Sequence, residues 1–150
     1  MATILVQDFM TASPHSVGVT VSLADAANMM KAYKIRHLPV LDGNTLVGIV
    51  SERDIQLVES MAGVNAEEVP IEEAMSQAPY TVAATTPLEV AARHMAQHKL
   101  GSAVVVDANQ KVVGVFTVTD GMRALAELLG KMPADFAMPH PEKPAAKKAT

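Results

Sequence analysis

The chain has 150 residues, 49% of them hydrophobic, with a net charge of -4 and no cysteine. That length suits one core or two small packed halves, since a chain of this size buries about 70% of its unfolded surface. The composition excludes a disulfide framework, a thiolate metal site and a cysteine nucleophile. No apolar run approaches the roughly 20 residues that cross a bilayer, and the first residues lack the basic start and apolar run of a signal peptide. The basic residues are scattered outside the C-terminal tail. The expectation is a cytoplasmic globular protein with no membrane partner and no nucleic-acid partner.

In chain order, a short apolar strand is expected around Val17. "SLAD" from Ser22 then reads as a capping box opening a helix whose apolar stripe is Leu23, Ala26, Ala27, Met30 and Tyr33. "HLPVLD" and "TLVGIVS" read as two strands joined at Asp42-Gly43, and "RDIQLVES" as a second helix. The same order then recurs. A strand falls at Val82; "TPLE" from Thr86 is a second capping box with Pro87 at the first helical position, leading a stripe of Leu88, Ala91, Ala92 and Met95. "SAVVVD" and "KVVGVFT" follow as strands and "TDGMRALAELLGKM" as the last helix.

The recurrence is residue by residue. Pro14, Val17, Leu23 and Met30 reappear 65 positions later as Pro79, Val82, Leu88 and Met95, while Gly48, Ser51 and Asp54 reappear 66 later as Gly114, Thr117 and Asp120. The one inserted residue falls in the turn between the paired strands, where an insertion costs least. The chain therefore reads as two copies of a strand-helix-strand-strand-helix unit, residues 5–64 and 69–131, followed by a flexible Pro/Ala/Lys-rich tail at 132–150.

Each copy contains G-x-x-[ST]-x-x-D where a strand gives way to a helix. Ser51 and Thr117 stand beside free N–H groups and the positive helix end, a natural seat for phosphate. Asp54 and Asp120 lie one turn in, and a carboxylate can accept both hydroxyls of a ribose diol. Gly48 and Gly114 would leave room for close approach to the strand. A plain capping box accounts equally for the hydroxyl and the aspartate, but not for the glycine. In the first copy Arg53 adds a guanidinium suited to phosphate. The second has Thr119 there, with Arg123 one turn along as a substitute.

The order of elements, their pairing and the doubled G-x-x-[ST]-x-x-D resemble a tandem pair of CBS domains, a Bateman module, over about residues 5 to 130. The resemblance implies an α+β fold, two repeats packed about a pseudo-twofold axis and two clefts taking adenosine-containing ligands: AMP, ADP, ATP, S-adenosylmethionine or NAD. It implies as ligand-binding residues Ser16, Val17, Ile35, His37, Leu38, Pro39, Gly48, Ser51, Arg53 and Asp54 in the first copy. In the second these are Thr81, Val82, Leu100, Ser102, Ala103, Gly114, Thr117, Asp120 and Arg123. His37 and its apolar neighbours in "IRHLP" would flank a base; "LGSAV" in the second copy has no imidazole, so the clefts should be unequal. No obligatory cofactor, metal or catalytic residue is implied.

His94 and His98 have an i, i+4 metal-clasp spacing but lack a third ligand, and the methionines Met29, Met30, Met95 and Met122 fit apolar stripes better than a metal site. No histidine occurs in the motif of both copies as a general base would. Met122, Leu125, Ala126, Leu128, Leu129 and Met132 form an apolar arc too wide for one small sheet, so a homodimer is expected. The sequence thus points to a regulatory module that signals nucleotide occupancy to an unidentified regulated protein. A dimerisation module with empty clefts and a nucleotide-hydrolysing enzyme are the alternatives.

Overall fold

The computed structural model describes residues 2–132, so all of the tail beyond Met132 lies outside the described residues. The elements are β1 (Thr11–Ala12), β2 (Val17–Gly18), α1 (Leu23–Tyr33), β3 (His37–Asp42), β4 (Thr45–Ser51) and α2 (Glu52–Glu59). Then follow β5 (Ser76–Gln77), β6 (Thr81–Val82), α3 (Leu88–His98), β7 (Ser102–Val106), β8 (Val112–Thr117) and α4 (Val118–Lys131). This is the α+β, two-repeat architecture expected, with two mixed four-stranded sheets in the orders β2-β3-β4-β5 and β1-β8-β7-β6.

In each sheet a parallel pair, β2 with β3 or β6 with β7, is followed by an antiparallel hairpin. Strand alternation directs Leu38, Val40 and Val50 onto the face covered by Leu23, Ala26 and Met30 of α1 and Ile55 of α2. Ala103, Val105 and Phe116 meet Leu88, Ala91, Met95 and Ala124 in the same way. The repeat extends to irregularities: the register shifts after Val40 and after Val105, and Lys34 and Lys99 end their helices in the left-handed region at φ 56° and 55°. On the opposite faces Pro39, Val104 and Val115 are buried although the helices are elsewhere.

The fourth strand of each sheet was not foreseen, and it is exchanged. β1 lies at the start of the first repeat yet pairs with β8 of the second, and β5 lies at the start of the second yet pairs with β4 of the first. The short 3-10 turns before them carry Val6 and Ile71, 65 positions apart and both 0% exposed, each into the core of the other copy. The bounds 5–64 and 69–131 describe units of sequence, whereas each unit of packing takes its last strand from the segment ahead of its partner.

The exchange also alters the helix starts. Ser22 caps α1 as expected, its hydroxyl accepting from the Asp25 N–H at 3.0 Å. At α3 the expected Thr86 box does not form: Pro87 is the capping residue, not the first helical one, and has no side-chain cap. In both copies the exchanged segment satisfies the first helical N–H: that of Leu88 donates to the Ile4 carbonyl at 2.8 Å and that of Leu23 to the Val69 carbonyl at 2.9 Å. Tyr33, placed on the α1 stripe from its spacing, is 53% exposed and stacks on His15 with ring centres 3.7 Å apart. Its counterpart His98 belongs to a column with His94 and Tyr80. Among the described residues no helix is long and apolar enough to cross a membrane.

Candidate functional site

Both repeated motifs form complete capping boxes where β4 meets α2 and β8 meets α4. Ser51 Oγ accepts from the Asp54 N–H at 3.0 Å and Asp54 Oδ2 accepts from the Ser51 N–H at 2.9 Å. Thr117 Oγ1 accepts from the Asp120 N–H at 3.4 Å, and Asp120 Oδ2 accepts from the Thr117 N–H at 2.9 Å. Such a box contributes about 1 kcal/mol to its helix, and one carboxylate oxygen is committed to it. The chemistry available to a ligand is decided by the other oxygen. Asp54 Oδ1 has no partner among the described residues and is not sealed from solvent. Asp120 is 3% exposed, and its Oδ1 accepts from the Arg123 guanidinium at 3.2 Å.

A cleft of about 810 Å³ opens over the first box. Its floor is His37, Ile49, Ser51, Arg53 and Asp54 from the first repeat; the other wall is Lys99, Leu100, Gly101 and Ser102 from the second, closed by 76–80 of the connecting segment. Register explains the convergence, because His37 pairs with Ser51 across the β3-β4 hairpin and Ser102 pairs with Thr117 across β7-β8. Both hairpin ends meet at the pseudo-twofold axis. Gly101 lets the two ends approach closely: a Cβ at that position would lie 3.2 Å from His37 Nε2, which would have to shift by a few tenths of an ångström. Burial pulls His37 below its usual pKa, against the opposing pull of Asp54, while Arg36 adds to the lowering and Asp120 opposes it more weakly. The imidazole thus feels an aspartate from each repeat. Tyr80, also lining the cleft, stacks on His94 at 4.1 Å, and partial burial raises its hydroxyl above 10.0.

Of the residues singled out in the sequence, His37, Ser51, Arg53, Asp54, Leu100 and Ser102 line this one cleft. Thr117, Asp120 and Arg123 form the second box. Val17, Leu38, Val82 and Ala103 do not face either box with their side chains: alternation turns them into the helix-side cores. Ile35 packs against the first core and Pro39 is fully buried. Thr81 lines, with Val82, a separate hollow of about 730 Å³ that Asp107 and Gln110 also line. Ser16 is half-buried ahead of β2.

The glycines need correction. The space expected to admit a ligand over Gly48 is filled by the exchanged strand, since a Cβ there would lie 2.6 Å from Met75 Sδ and 2.8 Å from the Ser76 carbonyl oxygen. Over Gly114 the corresponding distances are 2.5 Å to Met10 Sδ and 3.1 Å to the Thr11 carbonyl oxygen. The repeated glycine is therefore a requirement of strand crossing. Sequence reasoning passed over Arg36 and Lys99, each next to a residue it did select, and all of 76–80, whose only signal was the alignment of Pro79 with Pro14.

Two interlocked α+β repeats that meet at twin capped strand-to-helix junctions define a tandem-repeat module. The chain belongs to the CBS-domain family, whose model matches residues 6–58 and 71–127. It is 30% identical over 115 residues to the CBS domain-containing protein YhcV of Bacillus subtilis, covering 77% of this chain and 81% of that one. It resembles the solved structure of CBSX2, a CBS-pair protein of Arabidopsis thaliana, in complex with AMP: 32% identity, 83% of this chain, 98% of that one, TM-score 0.72. It also resembles the CBS domain pair of protein MJ0100 in complex with 5'-methylthioadenosine and S-adenosyl-L-methionine: 27% identity, 85% and 99% covered, TM-score 0.77. A homoserine O-acetyltransferase of Methanocorpusculum labreanum is 37% identical over 113 residues, but the chain spans only 22% of that enzyme's length.

Proposed function

We propose that this chain is a non-catalytic regulatory module that binds an adenosine-containing nucleotide in the cleft over Ser51 and Asp54 and passes its occupancy to a partner protein. The observation that carries the reading is the free Oδ1 of Asp54 beside a helix start in an 810 Å³ cleft. A ribose diol supplies the donors that oxygen lacks, and the helix end with Arg53 suits a phosphate. The AMP complex of CBSX2 and the methylthioadenosine and S-adenosylmethionine complex of MJ0100 support the ligand class. A ligand touching both hairpin ends would bind best to one relative placement of the repeats, and that difference in affinity is what a partner would sense.

Titration calorimetry with AMP and its 2'-deoxy counterpart tests the reading: AMP should bind at least tenfold more tightly, and equal affinities would remove the role given to Asp54. Conversion of a bound nucleotide would overturn the non-catalytic part. The same reading includes a homodimer, because Leu57 and Met61 near α2, and Met122, Leu125 and Leu129 on α4, leave large apolar side chains about half or more exposed. A solution mass of one chain at micromolar concentration would refute it.

A further inference from the structure

Three cationic side chains line the cleft beside two carboxylates. Arg36 ahead of β3, Arg53 in the first turn of α2 and Lys99 at the end of α3 all line it and are exposed. None belongs to an ion pair among the described residues, where the pairs are Arg93 with Glu89 and Arg123 with Asp120. The two carboxylates lining the same cleft are partly engaged: Asp54 by its cap, and Glu52 by the Gln56 side-chain amide at 3.2 Å. The three cations come from three places in the chain and from both repeats. At the corresponding positions of the other copy stand Gly101, Thr119 and Lys34, and the nearby Arg123 is held by Asp120.

From this we infer that the cleft over the first box selects a nucleoside polyphosphate, a di- or triphosphate, over a monophosphate and over an adenosyl ligand with a cationic tail. The inference rests on the nucleotide reading above and specifies its ligand. A chain of phosphates lets each of three separated cations find an anionic oxygen, whereas a single phosphate reaches only part of the set. A sulfonium compound such as S-adenosylmethionine would bring a positive centre toward unpaired cations.

The test is calorimetry of the full chain with adenosine, AMP, ADP, ATP, S-adenosylmethionine and inorganic tripolyphosphate, in chelator so that no metal masks the phosphates. ATP should bind about tenfold or more tightly than AMP, and that preference should shrink as salt rises. In Arg53→Ala and Lys99→Ala the ATP-to-AMP preference should fall severalfold, while Lys111→Ala, on the distant hairpin, keeps it. Thermal melts of the variants confirm that they remain folded. Adenosine compounds that bind without regard to phosphate number, or S-adenosylmethionine binding as tightly as ATP, would overturn this inference and leave the nucleotide reading intact. Tripolyphosphate binding as tightly as ATP would uphold the charge selection and remove the nucleoside. No binding by any compound would overturn both.

Discussion

The two capping boxes of this molecule are alike in backbone and unlike in what they leave free. Each ties a hydroxyl to the aspartate N–H and the aspartate back to the hydroxyl residue's own N–H. In the first box the second carboxylate oxygen faces a large cleft. In the second, Arg123 takes that oxygen and Thr117 donates a further hydroxyl bond at 3.2 Å to the capping one. The comparison teaches that the repeated motif is first a device for starting a helix, and that ligand capacity is whatever the surrounding side chains leave over. Arg123, offered by the sequence as a phosphate cation for the second copy, is instead spent neutralising Asp120.

The largest effect expected from this difference is on binding. Asp54→Asn, which keeps an oxygen for the cap, should weaken the tighter nucleotide event tenfold to a hundredfold, the value of about 1.5 to 3 kcal/mol for hydrogen bonds to a charged group. Asp120→Asn should change that event by less than a factor of about three, well under the 1.4 kcal/mol of a tenfold change. Calorimetric titration of both variants decides the matter; loss of the tight event in Asp120→Asn alone would move the ligand to the second box.

Stability separates the repeats next. Gly48→Ala drives a methyl into the Ser76 backbone as well as Met75, whereas Gly114→Ala meets mainly the flexible end of Met10, with the Thr11 carbonyl slightly farther away. Overpacking typically costs 1 to 3 kcal/mol, so Gly48→Ala should lose about 2 kcal/mol and Gly114→Ala about 1 kcal/mol. Denaturant unfolding measures both. Equal losses would mean that the two strand crossings are equally tolerant and that the contrast in backbone approach has no energetic weight.

These glycines also mark the limit of what the sequence disclosed. The helix stripes, the hairpins and both boxes were legible because each depends on residues within a few positions of one another, Leu23, Ala26 and Met30 on a helix face or Ser51 and Asp54 across one turn, and the repeat because those short patterns recur in the same order. The exchange of β1 and β5 was not legible, since two-residue strands carry no periodicity and their partners are distant in sequence. The glycine was assigned to the ligand for that reason; nothing local shows that Met75 and Ser76 arrive over Gly48. Alternation within "HLPVL" was legible but unused, and it would have turned Leu38 inward and left His37 toward the cleft. Half of the cleft wall, 76–80 and Lys99 to Ser102, comes from beyond the first repeat and could be placed only by the fold.

A smaller effect concerns a feature the repeats share. Lys34 and Lys99 both close their helices at positive φ. A left-handed residue other than glycine costs about 1 to 2 kcal/mol, and glycine's greater freedom when unfolded offsets about half of that, so Lys34→Gly and Lys99→Gly should each stabilise the fold by about 0.5 kcal/mol. The two variants part when binding is measured alongside melting. Lys99→Gly should gain stability and lose ATP preference, because Lys99 lines the cleft over the first box; Lys34→Gly should gain stability and keep that preference. If both variants lose it, the preference does not arise from the lining of this cleft.

The smallest expected effect lies at the axis, where His37 has only Ser102 as its counterpart. Burial lowers His37 from 6.5 in the folded chain, with Asp54 and Asp120 opposing and Arg36 adding to the shift. The unfolded chain therefore takes up this proton at a higher pH than the folded one. The neutral imidazole's contribution to stability is complete above 6.5 and is lost as pH falls from there through the lowered folded value. His37→Ser, which gives the first copy the residue of the second, removes this proton from the balance. The variant's unfolding midpoint should decline less steeply than that of the parent as pH is taken below 6.5. Parallel declines would mean that the imidazole is as well hydrated in the fold as in the unfolded chain, and that Gly101 does not hold it in a dry contact. A steeper decline in the variant would mean that the two aspartates outweigh burial, so that His37 is charged at the axis and both boxes share its proton.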